Sequence, residues 1–229
     1  MKKKSAKTAA HRETTERLLD TAEKLFAAHG YDGVGMRALA EEAKVNLGAT
    51  TYHYGSKEAL YIETFLRRYR PMNAERLRLL RQAEAAGRGK PLPVEKIVDC
   101  MIRPPLLLLL KHPHFPALLG RNLFMPPPFM NSIMHQKNDP TIEAFGVAFA
   151  KSLPKLVPDL LQMRLKFSIG ALLVFSTKLA RKPASKDPKL VESVLQELVR
   201  FVSAGLQSEP AIPVGERPPF PHHPYPPSA

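Results

Sequence analysis

The stretch that most constrains this chain runs from Arg37 to Lys57, RALAEEAKVNLGATTYHYGSK. Leu39, Ala40 and Ala43, followed by Val45, place small apolar side chains on one side of a short helix, so its backbone can lie close against whatever packs behind it. Ala43-Lys44-Val45-Asn46 reads as a tight turn, and Asn46 is placed to cap a second helix over about residues 47–54 by accepting from an N–H of its first turn. Gly48, Ala49, Thr50, Thr51 and His53 bury little apolar surface, so this second helix has to be used on its outside. Two short helices joined in this way are how a helix-turn-helix presents side chains to the DNA major groove.

The flanking sequence is helical by pattern. Leu18, Leu19, Ala22, Leu25 and Phe26 form one stripe of a helix predicted from about Arg12 to Gly30, preceded by a basic arm over residues 1–11 expected to be disordered. Ser56 caps a helix running through Leu60, Ile62, Phe65 and Leu66, which Pro71 is expected to end or kink. A further helix over about residues 73–86 carries Arg76, Arg78 and Arg81, read with Arg67, Arg68 and Arg70 as a solvated face, and the Gly/Pro-rich run 87–93 is a break. Residues 94–111 are helical but interrupted at Pro104-Pro105, and prolines punctuate 112–140 into short helices near 116–124 and 129–136. Two longer helices follow, over about 158–180 and 187–207, and residues 209–229 hold eight prolines with no helical period. The fold class predicted is all-α.

The linked motifs A-E-K-L-F-A-A-H-G-Y-D-G, from Ala22, and Y-H-Y-G-S-K-E-A-L, from Tyr52, resemble the DNA-binding domain of TetR/AcrR-family transcriptional regulators. More narrowly, V-N-L-G-A-T-T-Y-H-Y-G-S-K is similar to the CecR/CerR-like subset. The resemblance implies an N-terminal three-helix helix-turn-helix domain over 12–70, a C-terminal helical ligand-binding and dimerisation domain over 71–208, and a Pro-rich tail over 209–229. It also places Arg37, Leu47, Gly48, Ala49, Thr51, Tyr52, His53 and Lys57 on DNA-facing positions. Gly35 stands where the family usually has Ser or Thr, and Thr51 departs from the tyrosine or asparagine common there. The implied partners are a double-stranded operator, a second copy of the chain and a small-molecule effector.

The side-chain chemistry agrees with that role. Arginine grips guanine or phosphate, Leu47 and Ala49 suit thymine methyl groups, and Tyr52, His53 and Lys57 suit the backbone. A formal charge of +13 favours a polyanionic partner, although basic residues are spread along the chain. That charge also motivates a competing reading as a basic, amphipathic protein of membrane surfaces or a non-specific nucleic-acid binder. The longest unbroken apolar run, Pro104 to Leu110, falls short of the ~20 residues of a bilayer span, so no transmembrane helix is expected. A single cysteine, Cys100, excludes an intrachain disulfide and suits a cytoplasmic protein, where it reads as a buried structural thiol. No nucleophile elbow, P-loop or dinucleotide fingerprint is present, and the reading is a non-enzyme with no cofactor and no metal site.

Two sets of residues carry the remaining expectations. Met101, Phe115, Arg121, Phe124, Met125, Phe129, Met130, Met134, His135 and Phe149 combine soft, aromatic and polar side chains as an effector pocket does. Leu161, Leu165, Ile169, Leu172 and Leu173 of one long helix, with Val191, Val194, Leu195, Leu198 and Val202 of the next, offer more apolar surface than a small body needs. They are expected to close a two-fold, four-helix dimer interface.

Overall fold

A computed structural model describes residues 2–46, 48, 54–134, 139–180 and 187–210. Among the expected site residues, Leu47, Ala49, Thr51, Tyr52, His53 and His135 lie outside it, as do the Met134 side chain and most of the Pro-rich tail. Among the described residues the structure is all helical: α1 (Lys2–His29), α2 (Met36–Ala43), α3 (Lys57–Gly87), α4 (Val94–Lys111), α5 (Phe115–Phe124), α6 (Pro128–Met134), α7 (Pro140–Ser152), α8 (Pro158–Leu179) and α9 (Pro188–Gln207). The head is α1, α2 and the first turns of α3. The body is the remainder of α3 wrapped with α4 to α9.

Helix α4 is the centre of the body because its sequence is apolar on most sides. Ile97, Val98, Ile102, Leu106 and Leu109 are buried against α3, α7, α8 and α9. Arg103 fixes the register of α9 on this helix: Nη1 and Nη2 donate to the two Glu192 carboxylate oxygens at 2.7 and 3.0 Å, while Nε donates to Asp99 at 3.0 Å. These bonds hold the Glu192 carboxyl below its ordinary pKa and push the guanidinium up. Cys100 is buried, and that burial raises its thiol, so it is a packing residue rather than an exposed thiolate.

Three prolines behave differently from their sequence reading. Pro71 lies inside α3, and Pro104 and Pro105 lie inside α4, where each removes an N–H donor at a cost of about 3 kcal/mol. The helices persist because burial on either side offsets that cost. Leu66, Met72 and Asn73 are buried around Pro71, and Ile102 and Leu106 around the pair in α4. As a result α3 is one helix of 31 residues, about 46 Å long at 1.5 Å per residue, shared by head and body. The helix does not end at Pro71.

Two further expectations are corrected. α1 begins at Lys2, so the segment expected as a disordered arm continues the first helix; Ala6, Ala9 and Ala10 favour helix and no Gly or Pro intervenes before Gly30. α7 was hidden in proline-dense sequence, but it has an ordinary start. The Asp139 side chain accepts from the Thr141 N–H at 2.7 Å, and Pro140 occupies the first turn. Phe145, Ala148 and Phe149 then bury its inner face.

The arginines of α3 divide between enclosed and solvated positions. Arg67 and Arg68 reach across to α1, where both share the buried Glu23 carboxylate. Arg76 is enclosed near the Phe145 ring, 5.1 Å from its centroid, and donates to Asn73 at 3.0 Å. Burial lowers its pKa from the ordinary guanidinium value. Arg70, Arg78 and Arg81 keep the exposed character expected of all of them, Arg78 paired to Glu75 on the same helix at 2.7 Å.

The expected interface residues also divide. Leu172, Leu173, Val191, Leu195 and Val202 are buried within the single chain and belong to its own core, because these faces of α8 and α9 turn inward onto the body. Leu161, Leu165, Val194 and Leu198 are half-buried at the edge of that core, and Ile169 is exposed. With Ile169, the outward apolar surface is formed by Phe167, Val174 and Phe175 on α8, and Leu190 and Phe201 on α9. By length and composition α8 is the one described helix apolar enough to cross a bilayer, which a search for unbroken apolar runs overlooks.

Candidate nucleic-acid interface

The head is assembled by small contacts that the sequence prescribes. Leu39, Ala40 and Ala43 turn the buried face of α2 onto α1. Lys44 takes the left-handed conformation, φ 54°, and closes the helix by donating to Glu41 O at 3.1 Å. Val45 N–H donates to Ala40 O at 2.9 Å. Arg17 of α1 satisfies another terminal carbonyl by donating from Nε to Ala43 O at 3.0 Å, which fixes α2 against α1. Nothing in the periodicity of α1 marked Arg17 for this task.

The turn carries the expected cap. Asn46 Oδ1 accepts from the Gly48 N–H at 2.8 Å, and Gly48 is already helical, which is the cap geometry predicted from the sequence. Ser56 does the same for α3, its Oγ accepting from the Ala59 N–H at 3.1 Å after Gly55 at φ 70°. Ser56→Ala is expected to cost about 1 kcal/mol of stability, measured as a lower urea midpoint at constant slope. At Gly35 no side-chain cap bond closes the start of α2, as its missing hydroxyl implied.

Three cations frame this turn. Arg37 is exposed at the start of α2 and paired with Glu41 at 3.0 Å. Such an exposed pair is worth at most about 1 kcal/mol and yields readily to a phosphate. Lys44 is exposed in the turn itself. Lys57, in the first turn of α3, stands over the Tyr31 ring with Nζ 4.2 Å from its centroid. Tyr54 is half-buried against the core, and burial raises its phenol above the ordinary value, in keeping with a packing role.

The expected pocket residues are not brought together. Met101, Phe115, Met130 and Phe149 are packed into the buried core, while Phe124 is largely exposed. Arg121, Met125 and Phe129 do meet, but at the junction of body and head, where Tyr31 and Tyr61 join them around a cleft. Arg121 clamps the end of α1 there: Nε donates to Ala27 O at 3.1 Å and Nη2 to Ala28 O at 3.0 Å. Tyr61 donates to Asn122 Oδ1 at 3.3 Å, which also ties α3 to α5. Tyr31 and Tyr61 were not singled out by the sequence; a tyrosine in the loop after Gly30 was the only trace of the first.

Residues 18–64 match the family model of bacterial regulatory proteins of the tetR family, and residues 99–205 match that of a tetracyclin repressor-like C-terminal domain. The chain belongs to the TetR family. Its head is 38% identical over 47 residues to the HTH-type transcriptional repressor AcnR of Corynebacterium efficiens, and equally to that of Corynebacterium glutamicum. Those matches cover 20% of this chain and 25% of the length of each relative. The TetR fold extends further. A TetR-like transcriptional regulator from Rhodococcus sp. RHA1 superposes with a TM-score of 0.55 at 21% identity, covering 84% of this chain and 96% of that one. The TetR-family regulator PfmR from Thermus thermophilus gives 0.57 at 17% identity, covering 84% and 97%. The TetR family is one of transcriptional regulators, not of enzymes.

Proposed function

We propose that this TetR-family protein is a cytoplasmic, homodimeric repressor that occupies a pseudo-palindromic operator and is released by a small, largely apolar effector. The observation that carries the reading is the built turn between Ala43 and Gly48. A left-handed Lys44 ends α2, Arg17 clamps its last carbonyl, and the Asn46 side chain caps the chain at Gly48, as the start of a second helix requires. By the family resemblance, Leu47, Gly48, Ala49, Thr51, Tyr52 and His53 are the residues that would meet the major groove, with Arg37 and Lys57 at its edges. The V-N-L-G-A-T-T-Y-H-Y-G-S-K run supports placement in the CecR/CerR-like subset.

Dimerisation is supported by the outer faces of α8 and α9. On α9, Leu190, Val194, Leu198, Phe201 and Gly205 follow one another at intervals of three or four residues, a seam at helical spacing. On α8, Met163, Phe167, Gly170 and Val174 do the same. A Cβ added at Gly170 or Gly205 would meet nothing within 4 Å, so both seams open outward and leave room for a close helix. Two copies bring four such seams together around a two-fold axis.

Selection of bound duplexes from a random library, followed by affinity for the winner at several salt concentrations, tests the reading. An inverted repeat bound far above non-specific DNA is the expected result. Sequence-indifferent, salt-sensitive binding, or pelleting with anionic vesicles in place of operator binding, would overturn it. Arg37→Ala and Lys57→Ala are expected to weaken operator binding. Lys57→Ala acts equally on all sequences and lowers the salt slope by about 1.

A further inference from the structure

Where the end of α1 and the start of α3 face α5 and α6, a cleft of about 590 Å³ opens to solvent. This volume lies in the range of small-molecule sites, ~300–1,000 Å³. Its floor is an aromatic corner: Tyr31, Tyr61 and Phe129 meet edge to face in every pair, with centroids 4.8 to 5.7 Å apart. The adjoining wall is Met125 and the Pro126 to Pro128 run, and the opposite rim carries the Asp32 and Glu58 carboxylates.

Two carboxylates, Asp32 and Glu58, line the cleft, and the Lys57 ammonium stands over its Tyr31 ring. Arg121 is the one cation among its lining residues, and two of its donors are already spent on the terminal carbonyls of α1. Those carbonyls are the negative end of a helix dipole. Burial, then Glu58, then Asp32 raise the Tyr31 phenol, which places both carboxylates within electrostatic reach of the ring. Aromatic faces and carboxylates together favour an organic cation and repel a carboxylate or phosphate.

We propose that this cleft is the effector site and takes a lipophilic organic cation, held by the Tyr31, Tyr61 and Phe129 rings and by Asp32 and Glu58. The proposal rests on the repressor reading above and adds the place and the chemical class of the effector. It also supplies a route to the DNA. The ring of Tyr31 faces the cleft and also carries the Lys57 ammonium, so a cation drawn to Tyr31 competes with Lys57 for the same ring. Arg121 joins the body to the end of α1 beside the cleft, so a ligand that displaces these hydrogen bonds would shift the head relative to the body.

The test uses tetraphenylphosphonium and tetraphenylborate, which share a shape and differ in the sign of charge, titrated into the full chain by calorimetry without DNA. The phosphonium is expected to bind once per chain and at least about tenfold more tightly than the borate, a difference of ~1.4 kcal/mol. Asp32→Asn with Glu58→Gln should remove that preference, and Phe129→Ala should weaken both probes. The carboxylate variant, both of whose substitutions are isosteric and exposed, should keep operator affinity measured without probe. Equal or tighter borate binding, or phosphonium binding indifferent to the two carboxylates, would overturn the site. If an operator is found and the phosphonium does not bind, the site falls and the repressor reading stands. If the phosphonium binds as expected and no operator exists, the repressor reading falls and the site stands as a binding site without that output.

Discussion

Glu23→Ala is expected to cost about 3 kcal/mol of folding stability, several times the effect of Asp20→Ala one turn earlier on the same helix. The two carboxylates touch the same arginines. Glu23 Oε2 accepts from Arg67 Nη2 at 2.8 Å and Arg68 Nε at 3.0 Å, while Asp20 Oδ1 accepts from Arg67 at 2.8 Å and Arg68 at 3.1 Å. What separates them is solvent. The Glu23 side chain is 5% exposed and that of Asp20 62%, so water and salt screen the Asp20 contacts and leave the Glu23 contacts strong. Without Glu23, two adjacent guanidiniums face each other across a buried gap, and the Arg67 Nε already lacks a partner among the described residues. Urea unfolding of the two variants at constant slope measures the difference. Equal losses would mean that the network behaves as a surface array and does not hold α1 on α3.

That network shows what the sequence did and did not reveal. Glu23 sits in a helix whose apolar stripe was plain, but a buried carboxylate looks like any surface glutamate until the arginines that reach it are known. Arg67 and Arg68 are 44 and 45 residues away, and no local period links them. The turn from Ala43 to Gly48 was legible for the opposite reason. Its cap and its close-packed alanines are set within a few residues, where one-dimensional spacing carries the physics.

The same distinction explains the two corrections with functional weight. Prolines 71, 104 and 105 looked like helix ends because the local cost is real; only the packing on both sides, invisible in the sequence, outweighs it. The apolar width of α8 and α9 was read correctly as more than one face, but the sequence does not say which stripe meets α4 and which meets solvent. Leu195 is fully buried and Phe201 is 66% exposed, although both are apolar and six residues apart on one helix. The cleft at Tyr31 was harder still, since its residues come from the ends of α1, α3, α5 and α6 and the loops between them, far apart in the sequence.

Phe167→Asp with Phe201→Asp is accordingly expected to give a folded monomer whose operator affinity falls by two to four orders of magnitude, about the range lost when a linked second half-site contact is removed. Both phenylalanines are 66% exposed in the single chain, so the charges meet water in the monomer and carry little cost to its folding. In a dimer each aspartate would be desolvated against an apolar seam without a partner, which opposes association by several kcal/mol per pair of charges, about the penalty of burying an unpaired ion. Leu195→Asp supplies the contrast, because it places a charge in the core beside Val191 and Val199 and is expected to unfold the chain instead of dissociating it. Light scattering with circular dichroism separates the two outcomes. A double-aspartate variant that remains dimeric would move the interface off the Phe167 and Phe201 seams, and one that is monomeric with undiminished operator affinity would remove dimerisation from the binding mechanism.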